Sequence, residues 1–449
     1  MSLSLSAPPD VSAPDSDDFE YFVYTTFAEA RALKNEWNDL AARTGDILCS
    51  YDWCELWWKY FSDRRRLEIH TLRQQGRLVA VLPLFRETIR PGGVTLRTVR
   101  VLGCDYTITT VGLAIEPACA ERFTRMLLNR LGRDEPWDIL QIGPLRPYAA
   151  ACEQMAQACA EHSDIQSVIH GRRDNWGTLF HLPGTFEEYM SSLGNRVRSD
   201  ARRCDRQLHE RHKVDVVTVA TRDQIKPAMD VLIDLHQKRW LEKGQPGQFG
   251  EFEGIERFHR ELAERLVDAG QLVLLLLKID GQPVAATYGY CFGPRTHNLF
   301  VGHLHDQKWQ RYSPGRIMYF HLIRHAIAHG SNVLEDGRGV FEHKLRLGGK
   351  LYGERSLVAV RRGWSSRLRF WLALRMAYGI HVVCSRLWID MLAPRLGITP
   401  KPRHFYQRNW MLAQLVRRVR FPLFGGAKVL EARSVELVAP EHLGPPLTA

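Results

Sequence analysis

Residues 271–330 read QLVLLLLKID GQPVAATYGY CFGPRTHNLF VGHLHDQKWQ RYSPGRIMYF HLIRHAIAHG. An apolar run over 272–279 turns at Asp280-Gly281 and returns over 284–292. Asp-Gly between two such runs signals a hairpin, because the tight turn that matches strand twist needs positive φ at both central residues. A third strand over 296–303 feeds a loop ending in Tyr312-Ser313-Pro314-Gly315-Arg316, and a helix follows over 316–329 with Gly330 as its stop. Upstream, Thr185 caps a helix over 187–193, and helical patterns continue over 197–212, 223–243 and 255–269. Strands over 333–335 and 356–361 complete the unit. This order predicts an α+β fold, with helices layered on a mixed, mostly antiparallel sheet. The helix entered through a glycine-containing loop offers its N-terminal amides and dipole to a phosphate or another anion. The plain alternative is a strand-to-helix connection with no ligand.

Residues 20–172 run in a similar order with shorter helices. A strand over 21–25 and a helix over 29–42 precede the aromatic segment Tyr51-Asp52-Trp53-Cys54-Glu55-Leu56-Trp57-Trp58-Lys59-Tyr60-Phe61. Strands over 67–73 and 78–86 flank a Gln75-Gly76 turn, followed by a strand over 96–102, a helix over 121–131, a strand over 138–142 and a helix over 152–162. The organisation expected is a disordered leader (1–19), two similar halves (20–172 and 178–363), a basic aromatic helical extension (364–424) and a tail (425–449). Trp53, Trp57 and Trp58 are read as core residues rather than a ligand stack.

The chain has 449 residues and a net charge of +11 from 61 Lys+Arg and 50 Asp+Glu. That charge is local. Between residues 364 and 424 there are 11 basic residues and one acid, Asp390, which leaves 50 basic against 49 acidic residues elsewhere. A general nucleic-acid binder is therefore a poor reading of the whole. The nine cysteines are scattered without a C-x-x-C pair, which argues against a zinc finger or disulfide framework and fits the reduced thiols of a cytoplasm. Residues 1–20 carry five acids, three prolines and no Lys or Arg, unlike a secretory signal. The longest uncharged run in the apolar C-terminal part, Met376 to Ser385, is ten residues, against about 20 for a spanning helix.

Several patches, in order, carry a resemblance. They are Asn195-Arg196-Val197-Arg198 through Arg202-Arg203; Leu235-His236 with Arg239-Trp240 and Gly244; Tyr312-Ser313-Pro314-Gly315-Arg316; and Asp336-Gly337-Arg338-Gly339 with Lys344. In these the second half resembles the CelD/BioF2-like acyltransferase domain, a branch of the GNAT superfamily related to the FemAB peptidyltransferases. Trp53, Trp57-Trp58, Pro83-Leu84 and Gly103 with Asp105-Tyr106 resemble the companion domain. The resemblance implies tandem GNAT-like halves over about 20–363. It also implies transfer of an acyl group, acetyl first, from acyl-CoA to an amine or hydroxyl. It further implies a place in bacterial exopolysaccharide or cell-envelope biosynthesis.

Under that resemblance Gly315 and Ser313 cradle the donor's diphosphate, with Arg311 or Arg316 adding charge. Gln310, Arg311 and Gly315 fit the superfamily's phosphate signature; Pro314 and Arg316 stand where it has small residues, which leaves another acyl donor open. Tyr312 takes the place of a tyrosine that returns a proton to the leaving thiolate; otherwise it is a packed residue. His303 and His305 alternate on one strand face, and either is a candidate base. No cysteine or carboxylate except Asp306 stands near this pair, so zinc is rejected and no metal is expected. Asp336 is read as orienting the acceptor and Lys344 as neutralising an anion, against a structural Asp–Lys pair. Glu342 and His343 rank below them.

Arg198 and Arg202 are i,i+4 neighbours that repel unless an anion lies between them, such as a sugar diphosphate carrier, the CoA phosphates or a tRNA; the alternative is a solvated face. Trp240 is expected to close a pocket wall. The 364–424 extension, basic and rich in Trp and Phe, suits peripheral contact with an anionic membrane at the inner face; the alternative is helices docked on the body. Two other functions stay open. One is a FemAB-like aminoacyl transfer from tRNA, and the other a non-catalytic accessory protein of a membrane-bound polysaccharide machine.

Overall fold

The structure, a computed structural model, describes residues 18–398 apart from 45, 106–109, 146–148, 150, 243–246, 252 and 339–340. The expected leader (save its last two residues), the tail and the extension beyond 398 lie outside the described residues, as do Tyr106, Gly244 and Gly339.

Among the described residues, thirteen strands form a single sheet: β1 (Phe19–Tyr24), β2 (Arg66–Gln74), β3 (Arg77–Ile89), β4 (Leu96–Val101), β5 (Ala114–Ile115), β6 (Ile139–Leu145), β7 (Ile165–His181), β8 (Val214–Thr218), β9 (Leu272–Ile279), β10 (Gln282–Phe292), β11 (Arg295–His303), β12 (Val333–Arg338) and β13 (Lys350–Arg361). Their spatial order is β1-β2-β3-β4-β6-β13-β7-β12-β11-β10-β9-β8, with β5 on β3. Strand pairing is antiparallel except for β4 with β6 and β11 with β12. Two of the three two-residue hairpins, the third being Gly293-Pro294 between β10 and β11, follow from the same turn chemistry. Gln75 (φ 49°) with Gly76 (φ 74°), and Asp280 (φ 52°) with Gly281 (φ 80°), supply the two positive φ values required.

Each half contains a strand, a crossing helix and a parallel strand: β4, the Ala120–Arg133 helix and β6; then β11, the Pro314–Ala328 helix and β12. The expected α+β fold, with two halves of similar topology, is thus present. The seam between halves differs from expectation. The stretch 173–177, expected to separate them, lies inside the continuous strand β7. The last strand begins at Lys350 and pairs with β6 of the first half as well as with β7. Local patterning reads a strand's existence but not its partner, and the partner here is contributed by the other half.

The two sheet faces support separate cores. Along β9, Leu274 and Leu276 join the core shared with the first half, while Val273, Leu275 and Leu277 face the core under the Pro314–Ala328 helix. Trp53 and Phe61, on the Tyr51–Phe61 helix, meet Phe258 of the Ile255–Asp268 helix at ring-centroid distances of 6.1 and 5.6 Å. Trp53 and Trp57 are core residues, as read from the sequence, and Trp58 is half-buried. An aromatic side chain of this kind removes roughly 200 Å² from water, a gross gain of about 5 kcal/mol as an upper estimate. The halves are therefore joined by core packing as well as by the sheet.

The start of the C-terminal extension is docked on the body. The Trp364–His381 helix buries Phe370, Ala373, Leu374 and Ala377 against Ile89, Leu96, Ile139, Val358 and Val360. Asp138, fully buried, accepts from Ser366 (2.8 Å), Arg369 (2.9 Å) and Arg97 (3.0 Å). Burial alone would raise the Asp138 carboxyl, but the Arg97 hydrogen bonds outweigh it and hold the group below its usual range.

Candidate functional site

β11 and β12 pair over three residues only, Arg295 with Val333, Thr296 with Leu334 and His297 with Glu335. Beyond that point the strands part, and a cleft of about 1600 Å³ occupies the fork. Residues on both sheet faces line it: the Pro314–Ala328 and Asn195–Arg211 helices on one, and the Arg222–Glu242 helix on the other. Gly302 brings the last of these close. A Cβ there would stand 2.7 Å from the His236 backbone nitrogen, so only glycine lets the helix approach β11 this closely.

At the throat of the fork the polar groups form a buried chain. The Thr287 hydroxyl donates to Asn298 Oδ1 (2.6 Å), Asn298 Nδ2 donates to Asp336 Oδ1 (2.5 Å), and Lys344 Nζ lies 2.9 Å from Asp336 Oδ2. Lys344 also donates to the Asp336 carbonyl at 2.6 Å. Asp336 and Lys344 are both buried, and burying such a pair requires these extra hydrogen bonds. Beside them the His297 ring stands between two carboxylates, 3.7 Å from Glu335 and 3.8 Å from Asp46 of the first half. Tyr352 donates to Glu335, and its ring crosses the β7 backbone where Gly177 has no side chain to block it. The Tyr319 hydroxyl faces Asp336; burial first, and then that carboxylate, hold the phenol well above its usual range. His236 donates from Nδ1 to the Val301 carbonyl (3.2 Å), and burial pushes its pKa down to about 4.

The Pro314–Ala328 helix is preceded by Ser313, whose φ of 55° is left-handed, with Pro314 at the first helical position. The Gly315 N–H is one of the first-turn amides that helix geometry leaves without an intrahelical acceptor. A Cβ on Gly315 would lie 3.5 Å from the His303 ring. Among the described residues no group of three His, Cys, Asp or Glu side chains is placed to hold a metal ion.

Of the residues singled out from sequence, His303, Ser313, Gly315, Arg316, Asp336, Lys344 and Trp240 all line the cleft. Tyr312 does not. The left-handed turn at Ser313 sends its ring the other way, buried against His212 with the hydroxyl 3.3 Å from His212 Nε2. Arg311 lies over the Tyr312 ring, 4.7 Å from its centroid, outside the cleft. Arg198 and Arg202 also face away from it. Arg198 donates to the Ser191 carbonyl (3.1 Å) and to Asn195, while Arg202 is exposed. The i,i+4 pair that does line the cleft is Arg196 with Asp200. Tyr319 was missed although it stands four residues after Gly315, hence on the same helix face. Asn298 and His297 carry no local signal, since only the fork brings them to the cleft; His236 and Arg239 stood in a patch that carried the resemblance but were given no role there.

Residues 195–345 match the family described as Acetyltransferase (GNAT) domain. No curated protein is similar to the chain in sequence. Among solved structures, FemX shares 12% identity, covering 75% of this chain and 96% of its own, with a TM-score of 0.51. A conserved protein of unknown function from Bacteroides thetaiotaomicron VPI-5482 shares 11% identity over 75% and 98% of the two chains, with a TM-score of 0.45. A tandem GNAT protein from the clavulanic acid biosynthesis pathway shares 14% identity over 77% and 99%, with a TM-score of 0.38. At these identities the likeness is one of fold. Residues 195–345, which hold the forked parallel strands and the helix start beside them, thus match the GNAT acetyltransferase domain family, on a fold like that of FemX.

Proposed function

We propose that the chain transfers an acyl group, acetyl first, from an acyl-CoA donor to an amine or hydroxyl acceptor. One observation carries this reading: a buried Asp336, held by Asn298 and Lys344, stands in a fork that opens beside the first-turn amides of the Pro314–Ala328 helix. The donor's diphosphate would lie against Ser313 and Gly315, with Arg316 and Arg196 as counter-charges. The acceptor's nitrogen or oxygen attacks the thioester carbonyl and gives its proton to Asp336. The tetrahedral intermediate collapses, the C–S bond breaks, and the thiolate takes a proton from the Tyr319 hydroxyl, which regains one from Asp336. His303 is a second candidate for the base. A role in bacterial exopolysaccharide or cell-envelope biosynthesis rests on the CelD-like resemblance.

The test is thermal unfolding of the full chain. CoA at 100 times its dissociation constant should add about 2.7 kcal/mol. Gly315→Leu, which projects into the cleft, should abolish that gain. The FemAB resemblance of the sequence supports a second reading, aminoacyl transfer from tRNA; stabilisation by charged tRNA and not by CoA would select it. Stabilisation by neither would leave the non-catalytic accessory role.

Peripheral contact with an anionic membrane belongs to the same proposal, now confined to the part of the extension beyond the docked helix. No helix among the described residues is long and apolar enough to cross a membrane. After His381 the chain continues as a π-helical segment, Val382–Leu392, and here Val383, Leu387, Trp388, Met391, Leu392, Leu396 and Ile398 are exposed beside Arg386 and Arg395. Aromatic and aliphatic side chains flanked by arginines suit the headgroup boundary of anionic lipid. Truncation at Gly363 would remove the docked helix and damage the core, so substitution is the cleaner test. The full chain should float with phosphatidylglycerol vesicles and not with phosphatidylcholine vesicles, and Leu387→Glu with Leu392→Glu should end the flotation.

A further inference from the structure

The acyl-transfer reading leaves the acceptor unnamed, and the face of the sheet opposite the donor helix bears on it. There the Arg222–Glu242 helix presents His236, Arg239 and Trp240 to the cleft. Arg239 is half-buried, and burial lowers its pKa; among the described residues no carboxylate lies within ion-pair reach of it. The other cations at the cleft differ. Lys344 is paired with Asp336, Arg346 with Glu342, and Arg196 is exposed at the rim; Arg316, half-buried and also without a carboxylate among the described residues, stands at the Gly315 helix start on the other sheet face and donates to Cys204 (3.2 Å). A partly desolvated guanidinium without a counter-ion is unfavourable for folding alone and becomes favourable when an anion completes it.

One turn before Arg239, His236 adds an independent mark. It is 4% exposed, its Nδ1–H is committed to the Val301 carbonyl, and its Nε2 has no partner. A neutral imidazole fixed in that tautomer keeps Nε2 as a buried acceptor without a protein donor, beside the cleft that the residue lines. Trp240, also on the cleft wall, supplies a flat apolar surface between sugar-sized groups and the core.

We propose that Arg239, His236 and Trp240 form the acceptor subsite, and that the acceptor is an anionic ring compound, a sugar phosphate or sugar acid, whose hydroxyl or amine donates to His236. The inference rests on the acyl-transfer reading, yet it concerns the opposite face from the donor and fails separately. Arg239 and His236 act here in binding and positioning.

The experiment is thermal unfolding of the full chain saturated with CoA, and again without CoA, with glucosamine 6-phosphate, glucuronate or glucosamine added at matched ionic strength. The expected result is a rise of a few degrees with at least one of the two anions and none with glucosamine; which anion acts separates phosphate from carboxylate recognition. Arg239→Met should abolish that rise, leave the CoA shift intact, and leave the ligand-free melting temperature equal or higher, because an unpaired charge has been removed. Arg239→Lys, which keeps the charge, should retain part of the rise. No rise with either anion, an equal rise with glucosamine, or a rise that survives Arg239→Met would overturn the subsite. A missing CoA shift with the Arg239-dependent anion rise preserved would instead overturn the CoA donor alone.

Discussion

The two halves solve the same backbone problem in opposite ways. In each, a pair of parallel strands separates after three residue pairs, the last being Arg100 with Gln141 in the first half and His297 with Glu335 in the second. In the first half the fork is filled. Arg65 holds Asp105 through two hydrogen bonds (2.8 and 3.2 Å) and reaches Glu87 at 3.2 Å, while Arg100 pairs with both acids. Phe85 lies beneath both guanidinium groups, and Leu102 and Cys104 after β4 are buried, as are Val111 and Leu145, which bridge at the end of β6. Burial pushes the Cys104 thiol up to about 12. In the second half the matching position opens into the cleft. A satisfied ionic cluster makes one fork a structural joint, and a polar chain with room beside it makes the other the candidate site.

The largest effect should come from breaking the filled fork. Arg100→Met leaves Glu87 and Asp105 under-compensated in the interior and should cost about 3–5 kcal/mol of folding stability by chemical denaturation, with turnover per folded molecule unchanged. A loss below about 1 kcal/mol would mean that the apolar packing, and not the ion cluster, closes the first half. In the open fork, Asp336→Asn should lower the transfer rate about 100-fold or more, read as kcat rather than KM for the donor. An unaltered kcat would reduce Asp336–Lys344 to a structural pair and make the two forks alike.

A pH series tests the junction between the halves, where His259 sits among Phe249, Phe258, Tyr288 and Phe300. Burial pushes His259 down to about 3 and His236 to about 4. The folded state therefore binds fewer protons than the unfolded one below about pH 6.5, so stability falls as the pH drops from there towards 4. Each imidazole contributes up to about 1.4 kcal/mol per pH unit in that window. His259→Leu should flatten the slope of unfolding free energy against pH, and an unchanged slope would place the titration elsewhere. The smallest effect should separate two neighbouring arginines: Arg196→Ala should raise the donor KM several-fold, whereas Arg198→Ala, turned from the cleft, should change it by less than about twofold.

How far the site was legible follows from which residues share an element. Ser313, Gly315 and Arg316 adjoin on one helix start, so a local motif found them. Asp336 and Lys344 are eight residues apart across a short turn, and glycine-rich sequence marked them. Tyr312 misled because a single left-handed residue, Ser313, reverses the direction that sequence adjacency suggests. Arg198 and Arg202 misled for a rotational reason: charge spacing identifies a helix face but not what that face meets. The 364–424 charge run concealed a division, since its first helix is bound to Asp138 while the exposed apolar residues come after it.

By itself, the sequence determined most of the helices and strands, though not β7 or β8, two hairpin turns, the α+β class, the start of the Pro314–Ala328 helix and the concentration of charge near the C-terminus. These depend on periodicity, on positive φ at paired turn residues and on composition, all of which act over a few neighbouring positions. Tertiary structure alone decided that β13 returns to the first half, that one fork is filled and the other open, and that Arg239, His236, Asn298 and Asp336 meet in one cleft. Those outcomes depend on which strands lie side by side and where they part, and contacts between residues that far apart in the chain leave no period for a single sequence to display.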